Sequence, residues 1–88
     1  MKLKHEFLIR EVAGEYVLIP MGASALAFSG MVTTNAVGAF ICRKLAEPME
    51  YQTLVRCLCD EFEVAPETAA QDLAEFLQVL RGAGMLDE

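Results

Sequence analysis

Residues 16–42 of this chain contain no Asp, Glu, Lys, Arg or His. A stretch of that length without charge belongs in a protein core, under a partner or in a membrane. Pro20, Gly22, Ser24, Ser29, Gly30, Thr33, Thr34 and Asn35 interrupt it, so it lacks the unbroken apolar run of about 20 residues that a spanning helix requires. It reads instead as strands followed by a buried helix. Within it, Ala27, Phe28, Ser29, Gly30, Met31, Val32 and Thr33 form a short strand-like run with no guarding charge. Edge strands expose unpaired N–H and C=O groups and are normally blunted by Lys, Pro or a bulge. An unblunted edge is a place where an extended peptide can add as a further strand.

The 88 residues allow one domain, 1–88, with a modest core. Hydrophobic residues make up 55% of the chain and the mean hydropathy is +0.35, which is high for so small an interior and means either a generous core or apolar surface reserved for a partner. Seven basic against thirteen acidic residues leave a net charge of −6, opposite in sign to what a phosphate backbone attracts. Cys42, Cys57 and Cys59 are odd in number and match no zinc or C-x-x-C spacing. They read as reduced packing residues of a cytoplasmic protein without a metal site. Residues 1–10 combine Lys2, Lys4 and Glu6 and lack the apolar centre of a signal peptide.

Residues 7–12 and 16–20 are β-rich runs joined by Ala13-Gly14-Glu15, which predicts a β-hairpin. The second run is apolar on both faces and suits a central strand. Residues 27–33 supply the third strand, with Gly30 marking a bulge or a close backbone approach. The period then becomes helical. Asn35 is the N-cap, Val37, Phe40, Ile41 and Leu45 share a face, and Gly38 admits another element at close range. Glu47-Pro48 closes that helix, and Tyr51, Leu54, Val55, Leu58 and Phe62 stripe a second. A third opens at Pro66, carries Glu67 in its first turn and stops at Gly82-Ala83-Gly84, after which Met85 and Leu86 fold back. The order predicts an α+β, winged helix-turn-helix-like fold: a three-stranded antiparallel sheet followed by three helices.

Catalytic machinery is absent from this reading. The lone His5 falls in an N-terminal stretch expected to be loose, and Gly22-Ala23-Ser24-Ala25-Leu26 lacks the closing Gly of a nucleophile elbow. No cofactor site is expected. A DNA-reading helix would offer Arg, Lys, Asn or Gln to the groove; the third helix offers Gln71 and Gln78, but no base occurs between Arg56 and Arg81, and the carboxylates of Asp72 and Glu75 would be repelled by phosphates. The scaffold suits DNA better than its surface does, and a winged-helix regulator stands as the alternative. On the third helix Leu73, Phe76, Leu77 and Leu80 form a core stripe, with Asp72, Val79 and Ala83 along one flank. Val79 is either a peripheral core residue or, with Phe76, one wall of a groove whose other wall is the third strand. In the second reading an extended peptide pairs with residues 27–33 and drops alternate side chains against the helix. The same run is equally open to a second copy of the chain, which leaves a homodimer or a structural dimerisation module as a further alternative.

Residues 7–20, then Asn35-Ala36-Val37-Gly38-Ala39-Phe40-Ile41, Phe62-Glu63-Val64 and the closing Leu80-Arg81-Gly82-Ala83-Gly84-Met85-Leu86 resemble the PqqD-like family over nearly the whole chain. Cys42 stands where many relatives have Trp, and Thr34 where an aliphatic residue usually precedes the Asn. The resemblance implies a recognition element for ribosomally made, modified natural products. Such an element binds the leader of a precursor peptide and presents it to a modifying enzyme, often a radical SAM protein. It further implies that the leader adds beside the third strand and against the third helix, with contacts from Ala27, Phe28, Ser29, Gly30, Met31, Val32, Thr33, Asp72, Phe76, Val79 and Leu80. Any metal or cofactor would then belong to the partner enzyme.

Overall fold

The computed structural model of the protein describes residues 1–4, 6–22 and 32–88. In chain order its elements are β1 (Lys2–Leu3), β2 (Phe7–Val12), β3 (Glu15–Pro20), β4 (Val32–Thr34), α1 (Ala36–Lys44), α2 (Tyr51–Phe62), α3 (Pro66–Gly82) and β5 (Leu86–Asp87). The expected α+β order holds, with a three-stranded antiparallel sheet ordered β2-β3-β4. β3 is central, as its two apolar faces require, and its Leu18 is fully buried. Of the third strand read from the sequence, Val32 and Thr33 lie in β4 and Thr34 extends it. Residues 27–31 lie outside the described residues.

The hairpin turn is one residue tighter than the sequence suggests. Val12 pairs with Glu15, leaving only Ala13 and Gly14 between the strands, with φ of 53° and 83°. A two-residue turn with both central φ positive follows the right-handed twist of the strands it joins.

β4 runs almost directly into α1. Asn35 is the cap between them, and its Oδ1 accepts a hydrogen bond from the Gly38 N–H at 2.9 Å. α2 buries Leu54, Val55 and Leu58, and Glu63 then takes the left-handed conformation (φ 52°) that turns the chain toward α3. Pro66 opens α3, whose Ala69, Leu73, Leu77 and Leu80 face the core. The Tyr51 hydroxyl donates to the Ala70 carbonyl at 3.2 Å, tying α2 to α3, and Phe40 meets Phe62 edge-to-face at 5.5 Å.

The N-terminal stretch departs from expectation. Lys2 pairs with Asp87 and Leu3 with Leu86, Leu3 is buried, and the Lys4 N–H donates to the Met85 carbonyl at 2.8 Å. Residues 1–4 are therefore clasped by the returning C-terminal segment; His5 lies outside the described residues. A two-residue strand is too short to announce itself by alternation, and only its distant partner defines it. No helix among the described residues is long and apolar enough to cross a membrane.

Candidate functional site

The end of β4 and the first turn of α1 face α3 across a groove of about 270 Å³, lined by Thr34, Asn35, Val37, Gly38, Asp72, Glu75, Phe76 and Val79. Gly38 sets its width. A Cβ there would collide with Thr34 Oγ1 and lie 2.8 Å from Phe76 Cε1, so the bare backbone is what lets the Phe76 ring approach α1. Phe76 is half-buried against the core, while Val79, one turn further on, remains 55% exposed. An apolar helix wall thus stands beside a sheet edge. Among the described residues β4 has no strand partner on the side away from β3.

The groove is acidic. Asp72 and Glu75 are exposed, and neither has a hydrogen-bond or ion-pair partner among the described residues. The ion pair of the described residues joins Arg81 to Glu88 at 2.8 Å, and neither lines the groove. Cys42 is buried, and desolvation pushes its thiol up to about 12 against a smaller opposing effect of the Arg43 guanidinium. A thiol held protonated in this way is not a nucleophile at neutral pH. Among the described residues no group of three or more His, Cys, Asp or Glu side chains could hold a metal ion.

Of the residues singled out from the sequence, Asp72, Phe76 and Val79 come together in this groove, and Val32 and Thr33 lie on the adjoining strand. Ala27, Phe28, Ser29, Gly30 and Met31 lie outside the described residues. Leu80 does not line the groove: it is fully buried in the core cluster and anchors α3 from beneath. One helical position separates it from Val79, and that 100° step carries it from surface to interior. Sequence reasoning did not name Thr34, Asn35, Val37, Gly38 or Glu75 as groove residues. The clue available was Gly38, whose missing side chain signalled a close neighbour without identifying Phe76 as that neighbour.

A larger hollow, about 800 Å³, lies between β1, β2 and α1 and includes Lys2, Lys4, Arg43, Leu3, Ile9 and Cys42 in its walls. From α1 it is faced by the charged Arg43 and the buried Cys42. It therefore lacks the exposed apolar helix wall that Phe76 and Val79 give the smaller groove.

Residues 15–86 match the family model described as coenzyme PQQ synthesis protein D (PqqD). The chain belongs to the PqqD family. The matched segment runs from β3 into β5 and so contains every residue that lines the groove of this PqqD-family chain. A solved structure described as TbiB1 in complex with the TbiA(beta) leader peptide is similar, with a TM-score of 0.72 and 25% identity. The alignment covers 99% of this chain and 95% of that one. A search of curated proteins gives no match.

Proposed function

We propose that this PqqD-family protein is a non-catalytic cytoplasmic adaptor. It captures the leader segment of a ribosomally made precursor peptide as an added strand on β4 and presents it to a modifying enzyme of the radical SAM type. The observation that carries this reading is the edge of β4 that has no strand partner among the described residues, set beside the apolar wall of Phe76 and Val79. Edge N–H and C=O groups would supply sequence-independent affinity, and the groove would select alternate side chains. TbiB1, its structural neighbour, was solved with a leader peptide bound. The interface is small and the peptide loses conformational freedom on binding, so a dissociation constant on the order of 1 μM fits. The DNA alternative meets an exposed α3 face bearing Glu67, Gln71, Asp72, Glu75 and Gln78, whose three carboxylates phosphates would repel.

The test is an amide-resolved NMR titration with synthetic leader segments of precursor peptides encoded beside this protein. Shifts concentrated in β4 and in residues 72–79, lost in a Phe76→Asp variant that keeps its circular dichroism spectrum, support the reading. Normal binding by folded Phe76→Asp protein would remove the groove from it.

A further inference from the structure

We infer that the groove selects peptides carrying a Lys or Arg two residues from an apolar anchor. The inference rests on the peptide-holding reading above and adds the chemistry of the side chains held. The groove wall on α3 is divided along its length. Asp72 and Glu75 form its N-terminal part, and Phe76 and Val79 its C-terminal part. The centres of these two pairs are four residues apart, about 6 Å along a helix rising 1.5 Å per residue. An extended peptide places successive side chains of one face about 6.7 Å apart. A peptide laid along this wall with an aliphatic or aromatic residue on Phe76 and Val79 therefore brings its next same-face side chain beside Asp72 and Glu75.

That neighbouring side chain is cationic for two reasons. Both carboxylates are exposed and lack a partner among the described residues, and no base is among the described residues that line the groove. An acidic peptide would place like charges together with nothing to offset them, whereas a Lys or Arg gains two carboxylates at once. The wider charge distribution acts in the same direction. Residues 1–44 hold five bases and three acids, while residues 45–88, which include α2 and α3, hold two bases and ten acids. Such a field draws a cationic peptide toward the α3 side.

The experiment is selection from a display library of random linear peptides on three proteins: wild type, Asp72→Asn/Glu75→Gln and Phe76→Asp. Wild type is expected to enrich an apolar residue with Lys or Arg two positions away. The neutralised variant should keep the apolar anchor and lose the basic preference, and Phe76→Asp should enrich neither. For one selected peptide, replacing its base with Gln should weaken binding to wild type by roughly fivefold at low salt, as partly exposed ion pairs do. That loss should shrink as salt is raised and be absent in the neutralised variant. Selected peptides that bind wild type through β4 without a basic preference, or a preference unchanged by neutralisation, overturn the charge inference and leave the peptide-holding reading standing. Enrichment of no peptide by wild type overturns both.

Discussion

Gly38→Ala tests the close approach on which the groove depends. In an ordinary helix interior this change stabilises by about 0.5–1 kcal/mol, because Ala costs less backbone entropy than Gly. At this site the new methyl would collide with Thr34 Oγ1 and lie 2.8 Å from Phe76 Cε1 and 3.1 Å from Phe76 Cζ. The Thr34 hydroxyl can rotate away about χ1, but the Phe76 ring is packed against the core and can yield only by moving outward into the groove. Overpacking of this kind costs about 1–3 kcal/mol, so after the helix gain the expected net loss is about 1 kcal/mol. For a domain of this size that lowers Tm by about 4–8 °C. It lowers the urea midpoint by about 0.5–1 M. The displaced ring would also fill the space reserved for a peptide anchor, weakening binding by about tenfold, equivalent to about 1.4 kcal/mol. Urea unfolding and fluorescence titration of a leader segment measure the two effects separately. A second change, Phe76→Leu in the Gly38→Ala background, should recover stability because the shorter side chain clears the methyl. A Gly38→Ala protein more stable than wild type with unchanged peptide affinity would refute the reasoning.

The other expectations concern separate parts of the molecule. Leu80→Ala should lose about 2–5 kcal/mol of stability in chemical denaturation, since it empties a fully buried site. Val79→Ala, at a 55% exposed position, should change stability by less than about 0.5 kcal/mol and still weaken peptide binding. Ala13→Asn should raise stability by about 0.5–1 kcal/mol, because Asn tolerates the positive φ of 53° better than Ala does; a lower Tm would contradict the turn geometry. Cys42, with its thiol pushed up to about 12 from 9.0 by burial, should resist iodoacetamide at neutral to mildly alkaline pH while the half-buried Cys57 and Cys59 react first, as peptide mass mapping would show. The unfolded chain ionises this thiol near 9.0 and the folded chain holds the proton to about 12. The stabilisation from the buried neutral thiol is therefore full below pH 9 and lost progressively toward pH 12. A Cys42→Val protein should show a shallower alkaline decline in its urea midpoint.

Much of this protein is legible one segment at a time. Asn35 as a cap, Pro66 as a helix start, the two-sided apolar pattern of β3 and the stripe of Leu73, Leu77 and Leu80 each act through neighbours within about four residues, so composition and spacing determine them. Tertiary structure decided what is joined across the chain. The clasp of Leu3 with Leu86 links the two ends, and nothing local to either strand specifies the other. The one-residue tightening of the hairpin followed from the register with Glu15. The groove itself unites residues 34–38 with residues 72–79, and which flank of α3 meets them depends on how three helices divide a single core. Helical spacing already sets Leu80 on the core stripe, but only the packed fold leaves its neighbour Val79 exposed beside Phe76 as a groove wall and not covered at the edge of the core, because what covers a flank is set by the packing of the whole fold.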